Sequence, residues 1–353
     1  MRCGSQVVLC SVPVRWDPYK GCTHSCQYCF TRRKLDDRIG QDVDIEKGDS
    51  LTALRNFIAG ERKGELSWID KDWKFPIHIG GMSDPFQPCE DKYKISFEAL
   101  KILAESQHPF LASTKGRIVA KPEYLDLISQ CNAVMQVSLV SPSYDVLDAG
   151  APPFKERVEI IGKLAKVSKR VIVRIQPYMI TELEKVLTIT IPQVQNAGAY
   201  GVVVEGMKFY DGKQPGTIQV GADFVYPLNI LQHHFEQIRD RAHELNLKFF
   251  CGENRLRWMG DSLVCCGCEG VPGFQHNTFN LNHIYAGEDP QPTPAMKEVG
   301  HTVCFKTLCQ SSWASDVLDQ LTFENVMREI AKSKFGYNVM GLDTVDKDKT
   351  FDI

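Results

Sequence analysis

No run of eighteen or more apolar residues occurs in the chain, so nothing in it reads as a membrane-spanning helix. Neither sign of charge is in excess: 41 Lys and Arg against 44 Asp and Glu leave a net charge of −3. That balance excludes the broad electrostatic grip with which sequence-independent binders hold a phosphate backbone. Only local basic grooves stay open, at Arg32, Arg33 and Lys34 and at Arg255 and Arg257, where solvated surface charge is the plainer expectation. No internal repeat or low-complexity tract stands out. The opening "MRCGSQVVLCSVPV" has a short apolar patch but lacks a basic n-region and a small-residue cleavage site, so it does not read as a signal peptide. A cytoplasmic protein is the expectation.

Cysteine, by contrast, is plentiful. Thirteen cysteines in a reducing compartment point to metal or redox chemistry where they cluster. Isolated ones (Cys3, Cys10, Cys131) read as small core hydrophobes, and Cys304 and Cys309 as structural.

At 353 residues the chain accommodates one large α/β domain or two ordinary ones. From "FPIHIGGMSD" to "LKFFCGEN", short β-rich runs alternate with stretches whose apolar residues recur at three- and four-residue steps. Such alternation implies βαβ units and a parallel sheet. Counting the cysteine segment and the helix in "DSLTALRNFIAGERK", there are six β/α units and a last strand. The alternatives are an open doubly wound sheet and a full or partial barrel. In either, chemistry belongs at the carboxyl ends of the strands. That edge carries Gly80 to Asp84, Ser113 to Lys115, Ser138, Arg174 to Pro177, Glu205 and Cys251. After residue 252 the pattern gives way to a Cys/Gly-rich loop region, then to helical stretches near 295–334.

Within "WDPYKGCTHSCQYCFTRR", Cys22, Cys26 and Cys29 are packed into eight residues. A disulfide would use two of them, and a structural zinc site would want a fourth ligand, for which His24 is a candidate. Three thiolates can also wrap one face of an iron–sulfur cubane and leave one iron without a protein ligand. Gly21 permits the tight turn before the loop, and Tyr28 and Phe30 could shield a cluster from water.

"CTHSCQYC" resembles the CxxxCxxC pattern of the radical S-adenosylmethionine (radical SAM) enzymes, with an aromatic before the third cysteine. The resemblance implies a partial (β/α)6 TIM-type barrel at 1–251, with an irregular Cys-rich extension at 252–353 that covers or completes the active site. It implies a [4Fe–4S] cluster on Cys22, Cys26 and Cys29 whose open iron is chelated by SAM. It also implies a one-electron donor of flavodoxin or ferredoxin type, and a 5′-deoxyadenosyl radical that abstracts hydrogen from substrate. "GGMSDPFQPCE", "ASTKGRIVAKPEYLDLI" and "VSLVSPSYDVLDAGAPPFKERVE" are similar to the spore photoproduct lyase branch over roughly residues 15–180. Carried over position by position, Gly80 and Gly81 take the glycine-rich strand end that meets the SAM amino group, with Ser83 and Asp84 beside them. Lys115 and Ser138 match positions near the SAM carboxylate and ribose. Arg174 stands where a carboxylate-binding arginine is often placed.

The resemblance fails at one point. The branch places a hydrogen-donating cysteine where this chain has Gly81. Cys89, nearby in sequence, and Cys251, at a strand end, are the candidate radical-quenching thiols. Cys251, Cys265, Cys266 and Cys268 are also candidates for a second iron–sulfur cluster. Among the rest, His233 and His234 read as surface or packing residues on a helix. His276 and His283 fall in a loop that could line a pocket, and Trp258 could stack on a base. The expected function is therefore a radical SAM enzyme acting on a thymine-type base in DNA or a nucleotide. The alternatives are a radical SAM isomerase or modifier of another small molecule or peptide, and a structural zinc protein.

Overall fold

The computed structural model describes residues 1–3, 9–33, 39–40, 44–67, 69–209, 212–220, 223–280, 282–283, 286 and 288–291. Lys34, Cys304, Cys309 and the helical stretches expected at 295–334 lie outside them.

Each β-rich run becomes a strand: β1 (Val14–Trp16), β2 (Ile77–Ile79), β3 (Phe110–Thr114), β4 (Ala133–Ser138), β5 (Arg170–Tyr178), β6 (Gly201–Gly206) and β7 (Lys248–Cys251). These seven pair in parallel and in chain order, and a two-residue strand, Arg2–Cys3, adds antiparallel to β1. Sequential order leaves no topological switch point, which sets aside the doubly wound alternative.

The connecting helices are α1 (Leu51–Ile58), α2 (Ile95–Ser106), α3 (Pro122–Ser129), α4 (Phe154–Leu164), α5 (183–196) and α6 (Leu228–Glu244). Local chemistry sets their ends. The Ser50 hydroxyl accepts from the Ala53 N–H at 3.1 Å and caps α1. Pro122 opens α3, where its missing N–H costs nothing. In α5 the turn Val186–Thr190 widens to π geometry just before Pro192, which cannot donate to the helical ladder.

Alternation along the strands sorts the core into two faces. Ile77, Phe110, Ala112, Met135, Val173, Val204 and Phe249 pack outward with Leu103, Ile161, Val194 and Phe235 of the helices. Leu111, Val134, Ile172, Val203 and Phe250 point to the other face. There they meet not helices but Val264, Cys268, Val271 and Phe274 of the Cys/Gly-rich segment. Helices on one face and a filled interior on the other is the arrangement of an open barrel.

The segment after β7 is thus built into the barrel. Asp261 pairs with Phe249 through two hydrogen bonds, and the chain then passes beneath the inner face. Arg170, at the start of β5, donates to the carbonyls of Gly267 and Glu269 at 3.0 and 2.7 Å. Asn277 N–H donates to Ser11 O, and the Asn282 side chain to Leu9 O at 2.7 Å. Residues 264–280 and Asn282 therefore bridge from the last strand to the segment before the first and plug the amino-terminal end of the sheet. A small three-stranded sheet (Lys208–Phe209, Ile218–Val220, Asp223–Val225) follows β6. No described helix is long and apolar enough to cross a membrane.

Candidate active site

The carboxyl ends of the strands open into a cavity of about 440 Å³ with a roof, a belt and a floor. The roof is the loop between β1 and α1. Cys22, Cys26 and Cys29 all line the cavity as free thiols, with Tyr28 and Phe30 beside them. This loop is stitched to the turn after β4: Gln27 N–H donates to Leu147 O at 2.9 Å and Gly150 N–H to His24 O at 3.0 Å. On its other side Gln87, fully buried, accepts from Thr23 N–H at 3.0 Å and donates to Gly21 O at 3.1 Å.

An acidic anchor sits behind the loop. Asp148, 1% exposed, pairs with the equally buried Arg157 at 2.8 Å, accepts from the Tyr28 hydroxyl and lies 3.9 Å from Lys115 Nζ. Burial alone would raise its pKa; Lys115 and Arg157 outweigh that and hold the carboxyl below the usual range. Asp84 is held low in the same way: His24, the Lys115 N–H and the Thr114 hydroxyl together outweigh its burial.

His24 has both ring nitrogens turned to protein, Nδ1 3.0 Å from Gly150 O and Nε2 3.2 Å from the Asp84 carboxylate. It offers no fourth ligand to the loop. Among the described residues, no three His, Cys, Asp or Glu side chains converge as ligands of a single metal ion. A tetrahedral zinc site needs that convergence. Burial pushes the Cys26 thiol up to about 12 and raises Cys22, so both are protonated until a metal displaces the proton. Three free thiols on one loop, all facing one cavity, fit a cluster with one iron open.

The belt is a chain of polar side chains on the inner face of five consecutive strands. His78 Nε2 lies 2.8 Å from the Ser113 hydroxyl, which donates to Gln136 Oε1 at 2.8 Å. Arg174 donates to the same Gln136 oxygen at 2.8 Å and to Gln176; Gln176 in turn donates to Glu205, which also accepts from Lys208 at 2.9 Å. Burial, then Arg15 and Arg174, keep His78 neutral at physiological pH.

Cys10, Cys265, Cys266 and Arg257 form the floor, and Arg15 reaches from it along the belt beside His78 to Gly81. Gln136 Nε2 donates to Cys266 O at 3.2 Å, tying plug to belt, and the Cys266 and Cys268 sulfurs are 3.3 Å apart. Burial lifts Cys10 to about 12 and raises Cys265; Cys266 is raised first by its contact with Cys268, then by burial. These thiols are S–H groups at neutral pH.

Tyr28, Phe30, Gly80, Gly81, Ser83, Asp84, Lys115, Ser138 and Arg174 are all brought to the cavity. Two expected thiols are not. Cys251 alternates to the outer face, where it packs among the helices and its Sγ donates to Glu253 O. Cys89 precedes a short helix at Glu90–Tyr93 and does not line the cavity. With Cys251 outside, the four cysteines proposed for a second cluster do not gather on one face. Cys10, expected in the core, lines the cavity instead, and Arg257, expected in solvent, is 6% exposed. At Gly81 a Cβ would come within 2.8 Å of Arg15 Cδ, so Arg15 fills the room a thiol at 81 would need. Trp258 is exposed and outside the cavity. His234 Nδ1 meets the Tyr178 hydroxyl at 2.7 Å, and His233 meets Gln237, both as packing contacts. The signal that could have found the floor was the inward parity of each strand carried down to the residues of the Cys/Gly segment.

No protein-family model matches the chain. Uncharacterized protein Rv2578c of Mycobacterium tuberculosis is 26% identical over 212 residues, covering 56% of this chain and 60% of that protein. Uncharacterized protein ORF301 of Acidianus two-tailed virus is 28% identical over 167 residues, 44% of this chain and 53% of that protein. The chain thus matches 60% or less of the length of these relatives. Among solved structures, a mutant of spore photoproduct lyase superimposes with a TM-score of 0.56 at 14% identity, over 71% of this chain and 78% of the other. Another mutant, with bound AdoMet and dinucleoside spore photoproduct, gives 0.53 at 13% identity over 67% and 74%. The fold is therefore shared with spore photoproduct lyase, the same enzyme whose branch the sequence motifs resemble.

Proposed function

We propose that this chain is a radical SAM enzyme with a partial (β/α)6 barrel. The observation that carries the reading is a convergence: the three thiols of one loop, the two aromatics expected beside a cluster and the seven positions expected around SAM line one cavity, on a fold shared with a lyase solved with AdoMet bound. Cys22, Cys26 and Cys29 would hold the [4Fe–4S] cluster, and Gly80, Gly81, Ser83, Lys115, Ser138 and Arg174 would position SAM. When bound, the cluster supplies one electron for reductive cleavage of SAM, the source of a hydrogen-abstracting radical.

The chain's own residues do the rest. Tyr28, held by Asp148, covers the loop against water, whereas the expected shield Phe30 is 44% exposed. The belt fixes the direction of every donor and acceptor in the middle of the cavity, so polar groups of a substrate meet preset partners. Cys265 and Cys266 present neutral S–H groups from the floor, and a neutral thiol can return a hydrogen atom to a product radical. That supplies, from another element, the donor missing at Gly81 and favours the lyase-type outcome over an isomerase. A thymine-type base in DNA or a nucleotide is the substrate proposed, with a flavodoxin or ferredoxin as electron source.

The test is anaerobic reconstitution with iron and sulfide, followed by electron paramagnetic resonance of the reduced protein with and without SAM. About four irons per chain and a signal that changes on adding SAM are expected. A signal blind to SAM, or zinc in place of iron, would sink the reading.

A further inference from the structure

Most cations lining the cavity have an anion beside them. Lys115 lies 3.9 Å from Asp148, Lys208 2.9 Å from Glu205, and Arg174 is locked into the belt next to Glu205. The two floor arginines differ. Arg257 is 6% exposed; its Nη2 donates to Asn254 Oδ1 at 2.6 Å and to Gly252 O, but its Nε and Nη1 are buried without a hydrogen bond. Arg15 Nε is likewise buried and unbonded. Among the described residues, neither guanidinium has a carboxylate within ion-pair reach. Both stand close enough to Cys10 to act on its thiol, and Arg257 also meets the Cys265 thiol, but among the described residues no carboxylate joins them.

A buried cation without a counter-charge is costly, and proteins retain one where something else supplies the charge. Guanidinium groups present forked donors that match the oxygens of a carboxylate or a phosphate. The positions expected to serve SAM lie in the roof and belt, whereas Arg257 stands beside Cys265 on the floor, with Arg15 between it and Gly81.

We propose that the floor of the cavity binds an anionic group of the substrate, a phosphate or a carboxylate, between Arg257 and Arg15. Held there, the anion anchors one end of the substrate and turns the other toward the roof, where binding energy remote from the reacting atoms serves to position them. The inference rests on the function above only in taking the cavity as the substrate chamber.

Calorimetric titration of the full chain with inorganic phosphate at low ionic strength tests it. One saturable phosphate per chain is expected, weakened tenfold or more in Arg257→Met and in Arg15→Met. Arg117→Met, at an exposed ion pair with Glu156, should leave it unchanged. If Arg257→Met does not fold, Arg257→Lys keeps the charge without the fork and should still weaken binding. Saturating SAM should leave phosphate binding intact. Acetate that displaces phosphate would assign the site to carboxylates as well; acetate that does not would assign it to phosphates. Absence of saturable binding, unchanged binding in both floor variants, or competition by SAM would each overturn the proposal. Phosphate binding requires no cluster, so a chain that binds phosphate but never assembles iron would uphold this inference while the radical SAM reading fell.

Discussion

At the scale of single residues, the site is held by a few buried charges, and their pairing decides what can be changed. Asp148 and Arg157 are each 1% exposed and bond at 2.8 Å, and Asp148 also receives the Tyr28 hydroxyl from the cysteine loop. Removing one partner of a buried pair leaves a charge stranded, a loss of about 3–5 kcal/mol. Asp148→Asn should fall near the lower end, because Asp145 still reaches Arg157 at 3.2 Å. Denaturant unfolding should show a lower midpoint at unchanged slope. A midpoint equal to that of the unsubstituted protein would mean that the pair contributes nothing net. Arg157 is the kind of residue a sequence cannot place: an arginine in "PFKERVE" reads as helix surface until the turn carrying Asp148 folds over it.

Whole elements were far easier to read. Strands β2 to β7 and helices α2 to α6 follow from period-two or three-to-four-residue spacing of apolar residues, because each of these strands is buried and each helix packs on one side only. Parity along the same strands carried the expected polar edge to the cavity, with Cys251 the exception because it is one residue out of phase with Phe250. The three short strands after β6 carry no comparable run, and nothing in their spacing announced them. Close approach between loops is equally silent in a sequence. At Gly150 a Cβ would sit 2.4 Å from Thr23 O and 2.6 Å from His24 O, both backbone atoms. Gly150→Ala must therefore push the cysteine loop away from the turn that holds it. Reconstituted Gly150→Ala should bind well under half the iron of the unsubstituted protein, while its far-ultraviolet circular dichroism stays the same. Full iron content would show that the loop finds its geometry without that contact.

The molecule as a whole is a parallel sheet whose roof and floor come from opposite ends of the described chain. Cys22, Cys26 and Cys29 precede β2, whereas Cys265 and Cys266 follow β7, and the two groups face each other across one cavity. The Cys/Gly segment looks irregular because it lacks periodicity; its order comes from packing onto an inner face whose apolar layer is built by residues as distant in the chain as Val12 and Leu111. Roof and floor are anchored independently, one by Asp148, Gly150 and Gln87, the other by the layer that includes Phe250, Val264, Val271 and Phe274. Phe274→Ala removes a largely buried ring from that layer, for a loss of about 3–5 kcal/mol from transfer and the cavity left behind. The damage should stay on the floor's side. Phosphate affinity should fall together with the unfolding midpoint, while iron content after reconstitution should match that of the unsubstituted protein. Iron lost in parallel with phosphate binding would instead show that the barrel passes strain from its floor to its roof, and that the two halves of the site form one cooperative unit.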